Sequence, residues 1–266
     1  MKNHFIISYP GNKRSEVENI YKNIDFKNID IIVEPFCGST ALSYYIWTLN
    51  KEKNFKYILN DSDKNLIELL KLIIDKKYIQ LEDEINKIRL EISNSENNQI
   101  TAKEIYKNYI KNDNVYSYLL KNRYYCMRPG IYPNRDYKMF NKNFDITSYP
   151  IFEFLTNANI EIYNTDGIEI LKNNNNKNSF IFLDPPYIAS ENNFYKDDSG
   201  NNTSNIYEFL YYNKLKKFKC KILICHENNW LFKILFSDYL KNTVEYEKKY
   251  KTGKKRETNH ICITNY

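Results

Sequence analysis

Short apolar runs alternate with helix-like stretches in the first and last thirds of the chain, and they predict the strands of a mostly parallel sheet. The residues Phe180 to Leu183 are all apolar, which is typical of a strand that is buried on both faces. A hairpin of residues 243–247 and 259–264 is predicted to close the sheet. The remaining strands are predicted at residues 29–33, 57–61 and 221–225, and within residues 159–167. The pattern therefore predicts an α/β fold.

The alternation of strands and helices stops between about Leu66 and Phe154, where Leu, Ile and Tyr recur at helical spacing. We therefore predict one domain from residues 1–65 and 157–266, with a mostly helical domain of residues 66–156 inserted into it. Near the N-terminus, residues 15–24 are predicted to form a surface helix, because Ser15 and Glu18 have the spacing of a capping box.

Acidic residues stand at or just after the ends of four predicted strands: Glu34, Asp61, Asp166 and Asp184. One such acid is easily explained, because Asp61 alone could cap the helix that follows it. Four of them at the carboxyl edge of one sheet predict a pocket rich in hydrogen-bond acceptors. S-adenosyl-L-methionine suits such a pocket, because it carries a ribose diol, an adenine amine, an ammonium group and a sulfonium group.

The turn Asp184-Pro185-Pro186-Tyr187 follows the most apolar strand directly. Its prolines end strand pairing, so the turn presents a carboxylate, a carbonyl and an aromatic face together. The Asp184 carboxylate and the Pro185 carbonyl could accept both protons of an exocyclic amine, and Tyr187 could stack on the base that carries it. In duplex DNA such a base would have to be flipped out of the helix, which costs a few kcal/mol.

Cations and aromatic residues alternate in residues 121–135, and a second basic segment lies at residues 248–256. Both segments suit phosphate contacts and base contacts in DNA. The alternative is a solvated surface, because Tyr and Lys are frequent throughout this chain. A polar segment, residues 189–204, could be a lid over the site or a loop without a role. The residues predicted to contact DNA are Arg123, Tyr124, Arg128, Arg135, Lys254, Lys255 and Arg256.

The composition adds limits to this interpretation. The net charge of +6 is compatible with a polyanionic partner, although AT-rich coding also raises the lysine content. The five cysteines form no C-x-x-C pair, and the neighbours Cys225 and His226 are interpreted as buried core residues, so no metal site is predicted. We expect an intracellular, reducing compartment, either the cytoplasm of an AT-rich microbe or that of a host cell if the source is viral. Neither a membrane span nor an obligate protein partner is predicted.

The order of the motifs resembles the Dam-type, alpha-class DNA adenine-N6 methyltransferases. The resemblance rests on Tyr9-Pro10-Gly11-Asn12-Lys13, on Glu34 to Ser39, on the insert near residues 66–156 and on Asp184 to Tyr187. It implies a Rossmann-like class I methyltransferase sheet with an inserted target-recognition domain, S-adenosyl-L-methionine as the cofactor and double-stranded DNA as the partner. The commonest target in this family is GATC, and its members occur with or without a restriction enzyme.

The resemblance also implies a role for each motif. Asp184, Pro185, Pro186 and Tyr187 would be the catalytic turn. Asp61 would bind the ribose of the cofactor and Asp166 its adenine amine. The chain departs from the motifs at two positions, because Asn12 and Thr40 stand where glycines are usual. The cofactor-binding residues implied in this way are Tyr9, Pro10, Gly11, Lys13, Glu34, Pro35, Phe36, Cys37, Gly38, Ser39, Asp61, Asp166, Gly167 and Asp184.

Two alternatives remain open at the level of the sequence. The same turn could bind other planar amines, so methylation of RNA or of a glutamine side chain is a second possibility. An acid at position 184, rather than Ser or Asn, favours adenine by family resemblance. The third possibility is a catalytically silent relative that only binds DNA, and the intact Asp184 to Tyr187 turn argues against it.

Overall fold

The computed structural model describes residues 4–9, 11–109, 111–124, 140, 142–188, 204–250 and 256–266. The chain forms two compact units. The helical unit comprises Met1–Asn12 and Asp63–Ala158, and the sheet unit comprises Lys13–Ser62 and Asn159–Tyr266. The chain thus leaves the sheet unit after the second strand and returns to it at the third.

A seven-stranded sheet forms the centre of the sheet unit, as far as the described residues show, with the strand order β3-β2-β1-β4-β5-β7-β6. The strands β1 to β5 are parallel, whereas β7 runs antiparallel to both β5 and β6. The predicted Rossmann-like α/β fold is confirmed. The strands are β1 (Ile31–Glu34), β2 (Lys56–Asn60), β3 (Asn159–Tyr163), β4 (Ser179–Leu183), β5 (Lys221–Glu227), β6 (Thr243–Tyr250) and β7 (Arg256–Thr264).

The α-helices of the described residues are short to medium in length. None of them combines the length and the apolar character that crossing a membrane requires. They are α1 (Val17–Tyr21), α2 (Ala41–Leu49), α3 (Lys64–Ile74), α4 (Ile79–Ser93), α5 (Asn98–Tyr109), α6 (Val115–Tyr124), α7 (Pro150–Asn157), α8 (Gly167–Asn173), α9 (Ser204–Asn213) and α10 (Trp230–Leu235).

Strand β4 lies in the middle of the parallel part of the sheet, between β1 and β5. All five of its residues are buried, as the uninterrupted apolar run predicts for a strand covered on both faces. Ile181 pairs with Val33 on one side and with Ile222 on the other, and these three residues share one apolar cluster. The core therefore holds the end of β4, and with it the following turn, in a fixed position.

The helical unit includes the first residues of the chain as well as α3 to α7. Residues 5–7 are almost completely buried. Ser8 N donates to Asn122 O (3.2 Å), Arg123 Nη1 donates to Ile6 O (2.9 Å) and Ile151 N donates to His4 O (3.1 Å). These bonds explain why the N-terminal segment groups with the helices. The role of residues 66–156 in target recognition stays a prediction.

The N-terminal surface helix is shorter than predicted. The capping-box pattern predicts one helix over residues 15–24, but α1 covers only Val17–Tyr21. Its N-cap residue is Glu16, whose side chain makes no capping bond. The physical reason is that Glu16 is buried, where its Oε2 accepts from Tyr246 OH (2.8 Å) and lies 2.9 Å from His260 Nδ1. The capping-box pattern therefore gave the wrong helix start.

Candidate active site

The four predicted acids lie at the carboxyl ends of β1 to β4. Glu34 is the last residue of β1, whereas Asp61 and Asp184 follow β2 and β4 directly. Asp166 comes three residues after β3, where its Oδ1 accepts from Ile168 N (2.7 Å) as the N-cap of α8. Because these four strands are parallel neighbours, the fold brings the four acids to one edge of the sheet.

The turn after β1 is fastened to the end of β2. Asp61 Oδ2 accepts from Gly38 N (2.9 Å), and Cys37 N donates to Asn60 O (2.7 Å). Gly38 has a φ of 46°, a left-handed conformation that glycine adopts without steric cost. One oxygen of Asp61 thus stabilises the turn after β1. The contact of Asp61 with the ribose of the cofactor stays a prediction.

Glu34 is buried at the start of α2. Its Oε1 accepts from Ser43 N (2.8 Å), so the carboxylate caps amides that have no partner inside the helix. Burial raises the pKa of Glu34 to about 7, against the lowering effect of the Ser43 hydrogen bond, and the charge of Asp184 adds to the rise. Near neutral pH this carboxyl group therefore changes its charge easily.

Asn60 joins the turns after β1 and β3, and sequence reasoning missed it. Its Nδ2 donates to Pro35 O (2.8 Å) and to Thr165 O (3.0 Å), while its Oδ1 accepts from Thr165 N (2.9 Å). The side chain is 1% exposed. The only sequence signal for Asn60 is a polar residue at the end of an apolar run, and the adjacent Asp61 explains the polar end of that run equally well.

Phe36 and Gly167 bring the same two turns into contact. A Cβ atom at position 167 would lie 2.6 Å from Phe36 Cζ, a distance that real side chains do not tolerate. Glycine at position 167 therefore lets the Phe36 ring approach the start of α8. Phe36 and Gly167 were both predicted to bind the cofactor; what the structure describes is that they pack against each other.

Asp184 forms a buried ion pair with Lys13. The Lys13 Nζ lies 2.5 Å from Asp184 Oδ2, and the side chains are 6% and 16% exposed. Burial raises the pKa of Asp184 to about 6, although Lys13 opposes the shift. Burial alone would lower the pKa of Lys13, but attraction to Asp184 and to other nearby groups outweighs it, so the pKa lies above its usual value. The pair therefore holds a carboxylate in a mostly dry site.

The remainder of the Asp184 to Tyr187 turn is held by side chains from α9 and β5. Tyr207 OH donates to Pro186 O (3.1 Å), and Ile188 N donates to His226 Nε2 (3.0 Å). His226 Nδ1 lies 2.6 Å from Glu227 O, so it donates there and the imidazole is neutral. Burial lowers the pKa of His226 to about 4, which keeps Nε2 an acceptor at neutral pH. Its ring lies 4.7 Å from that of Tyr187.

The residues predicted to contact DNA are only partly described. The Tyr124 prediction is at odds with the structure, because this side chain is 3% exposed and stacks on Phe140 with a ring separation of 4.2 Å. The Arg123 guanidinium bonds to Ile6 O and lies 4.8 Å from the Phe144 ring, so it has intramolecular partners. Pro10, Arg128, Arg135, Lys254 and Lys255 lie outside the described residues, and only the backbone of Arg256 is described, in β7.

Comparison with known proteins identifies the family. Residues 9–252 match the family model of the D12 class N6 adenine-specific DNA methyltransferases. The chain belongs to this family. The match includes all four strand-end acids and the Asp184 to Tyr187 turn. The chain is therefore an adenine-specific DNA methyltransferase, and the family favours adenine in DNA over RNA or glutamine as the acceptor.

Other comparisons add little to this assignment. No curated protein matches the chain. A crystal structure of a methyltransferase from Pyrococcus furiosus is 12% identical, with 94% of this chain and 82% of that chain covered and a TM-score of 0.37. At this level of similarity the match carries no argument about activity.

Thr40 shows why glycine is usual at one of the two positions where the methyltransferase departs from its motifs. Thr40 is buried and has a φ of 51° and a ψ of 29°, the left-handed region that disfavours β-branched residues. Its Oγ1 has no hydrogen-bond partner among the described residues. The turn thus retains the conformation that glycine would allow, at a cost in strain.

We expect Thr40→Gly to be more stable than Thr40→Ala by ~1 kcal/mol, because both lose the same polar group and only alanine keeps the left-handed strain. The matched pair is Thr48→Gly and Thr48→Ala in the last turn of α2, where the order should reverse, with alanine more stable by up to ~1 kcal/mol, because glycine has the lower helix propensity. Chemical denaturation measures all four variants. Equal stability of the two Thr40 variants would show that the backbone at this position is not strained.

Proposed function

We propose that this enzyme transfers a methyl group from S-adenosyl-L-methionine to N6 of adenine in double-stranded DNA, as a Dam-type, alpha-class methyltransferase. The proposal rests above all on the buried Asp184 carboxylate, which Lys13 holds at the start of a rigid aromatic turn. The other strand-end acids lie at the same edge of the sheet, which suits a cofactor site beside the reaction turn.

The residues around the first turn suit S-adenosyl-L-methionine. Glu34 offers a carboxylate to the cofactor's ammonium group, and Asp61 and Asp166 offer acceptors to its ribose and adenine. The buried hydroxyl group of Thr40 has no hydrogen-bond partner among the described residues, which is compatible with a polar ligand nearby. The bound cofactor would supply an electrophilic methyl group. The cofactor contacts of Tyr9, Pro10, Gly11, Pro35, Cys37 and Ser39 stay predictions.

In the proposed reaction, the Asp184 carboxylate and the Pro185 carbonyl accept the two protons of the adenine amine. The amine is a poor nucleophile while its lone pair is delocalised, and these two acceptors favour the tetrahedral form that can attack. As the N6–methyl bond forms, the bond between the methyl group and the cofactor's sulfur would break, and S-adenosyl-L-homocysteine would leave. N6 then carries a positive charge, and one of its protons passes to Asp184 and then to solvent. With a pKa of about 6, this carboxyl group can accept the proton and release it again near neutral pH.

The adenine would reach this site by base flipping, which we propose because a base inside a duplex cannot reach a buried carboxylate. Tyr187 is suited to stack on the flipped base, since the ring of His226 lies beside it and Tyr207 bonds to the preceding residue of the turn. Stacking on an aromatic side chain contributes ~1–3 kcal/mol per base, which offsets part of the cost of unstacking. GATC is the proposed first target sequence.

Methylation-sensitive sequencing of DNA from cells that express the chain tests activity and target together. We expect N6-methyladenine in one short sequence, and none in cells that express Asp184→Asn to the same level. Methyl transfer by the purified enzyme to duplex DNA, but not to RNA or protein, supports the substrate class. Methylation at a sequence other than GATC would correct only the target, whereas no methylation of any DNA would overturn the proposal.

The pKa of Glu34 predicts that cofactor affinity depends on pH. The cofactor's ammonium group binds the ionised carboxylate better than the neutral acid, so binding requires loss of the Glu34 proton. Affinity should therefore fall as the pH drops below about 7, by up to about tenfold per pH unit. Calorimetric titration between pH 5 and 7 measures this effect. S-adenosyl-L-homocysteine should show the same slope, because it keeps the ammonium group, and Glu34→Gln should flatten both curves.

A further inference from the structure

Three buried side chains of different chemistry lie close together beside the turn Asp184 to Tyr187. Glu16 precedes α1, Cys225 lies in β5 and His260 lies in β7, and they are 2%, 0% and 0% exposed. One carboxylate oxygen, the thiol sulfur and one imidazole nitrogen all lie within 4.8 Å of one another. Glu16 Oε2 and His260 Nδ1 are 2.9 Å apart. Three distant segments of the chain thus place an oxygen, a sulfur and a nitrogen donor around one point.

A fourth donor lies next to this cluster. Cys262 is the register partner of Cys225 in the antiparallel pair of β5 and β7, and it is also buried. Directly opposite residues of an antiparallel pair have Cα atoms only about 4.5–5.5 Å apart and side chains on the same face of the sheet, so the thiols of Cys225 and Cys262 are close enough to bind one ion. Tyr246 OH borders the cluster, 2.8 Å from Glu16 Oε2 and 3.1 Å from Cys225 Sγ.

We propose that Glu16, Cys225 and His260 bind a zinc ion, with Cys262 as the fourth ligand. Thiolate, imidazole and carboxylate are the ligands that zinc takes in proteins, and a set of four protein ligands is typical of a closed structural site. Binding would replace the proton between Glu16 and His260 and the protons of the two thiols, which pass to solvent. The zinc charge would then compensate buried negative ligands that are costly to leave in an apolar interior.

The sequence alone predicts no metal site, because the ligands of the proposed site are not neighbours in sequence. Its only adjacent Cys and His are Cys225 and His226, whose side chains point to opposite faces of β5. His226 contacts the backbone at Ile188 and Glu227 instead. The histidine of the cluster comes from β7, which is distant in sequence and adjacent in the sheet. His260 and Cys262 are two residues apart in β7, but a His-x-Cys pair alone is too common to indicate a metal site, and Glu16 and Cys225 lie far from it in sequence.

Elemental analysis of the intact chain tests the proposal. The protein is unfolded, stripped with a chelator and refolded with or without zinc, because the ligands are buried and an ion would have to enter during folding. We expect about one zinc ion per chain after gel filtration, and a higher melting temperature than that of the metal-free protein. Cys225→Ser and Glu16→Gln should each lose the bound zinc. Cys220→Ser, which changes a buried thiol outside the cluster, should retain it.

Refolding with cobalt(II) gives a second measurement that needs no variant. Cobalt(II) bound by thiolates in a tetrahedral site has intense absorption bands, so the spectrum of the wild-type chain identifies the ligands even if Cys225→Ser fails to fold. A wild-type protein that folds fully and takes up no more zinc than Cys225→Ser would overturn the proposal. So would uptake that disappears in Cys220→Ser but persists in Cys225→Ser. In either case Glu16, His260 and Tyr246 form only a hydrogen-bonded cluster.

Discussion

Asp184→Asn is expected to lower the rate of methyl transfer by ~10²–10⁴-fold, because the asparagine oxygen cannot take the proton that N6 must lose. The substitution keeps the shape of the side chain and one acceptor atom, but it leaves the buried Lys13 ammonium without its carboxylate, so the stability and the cofactor affinity of the variant are measured as well. Single-turnover transfer from labelled S-adenosyl-L-methionine to duplex DNA measures the chemical step. The wild-type rate should increase as the pH rises through about 6, where Asp184 loses its proton.

The matched control for this experiment is Asp238→Asn. Asp238 is an exposed acid in the short 3-10 helix Ser237–Asn242, so the same chemical change there should leave the rate unchanged. Cofactor binding by calorimetry separates a loss of chemistry from a loss of the site. Full activity of Asp184→Asn with normal cofactor binding would remove Asp184 from the reaction and contradict the proposed mechanism.

Lys13→Met is expected to destabilise the fold by about 3 kcal/mol at neutral pH, because it leaves the Asp184 carboxylate buried without its cation. Without Lys13, burial and the nearby Cys225 and Glu16 all raise the pKa of Asp184 with no cation to oppose them, so this pKa rises further. Protonation then relieves the unpaired charge, and the loss of stability should be smaller at pH 5 than at pH 8. Urea denaturation at both pH values measures the difference.

The double variant Lys13→Met/Asp184→Asn separates the structural role of the pair from its chemical role. It removes both charges, so it should recover much of the stability that Lys13→Met loses. Transfer activity should stay absent, since no carboxylate is restored. Additive losses of stability in the double variant would mean that the two side chains do not interact in solution.

The sheet and its acidic edge could be predicted because both are local patterns. An apolar run such as Phe180 to Leu183 reports burial on two faces without any knowledge of its neighbours. An acid at the end of a parallel strand always lies at the carboxyl edge of the sheet, whatever the order of the strands. For the same reason the sequence alone predicts that Glu34, Asp61 and Asp184 share one edge, although it does not reveal their hydrogen-bond partners.

The contacts that organise this edge could not be predicted, because they join residues that are far apart in sequence. Asn60 bonds to Thr165 and Glu16 lies beside His260, and nothing in either segment alone indicates the other. Tyr124 shows a different limit. In a chain with 25 tyrosines, an aromatic residue beside a cation is as typical of a core as of a DNA-binding surface.

The position of β7 has a consequence for how the enzyme folds. This strand lies between β5 and β6, and its His260 contacts Glu16, which is distant in sequence. The edge of β5 therefore stays unpaired, and open to pairing with other chains, until β7 is in place. Because the contact between Glu16 and His260 joins residues that are far apart in sequence, we expect this last step to be slow and aggregation to compete with it.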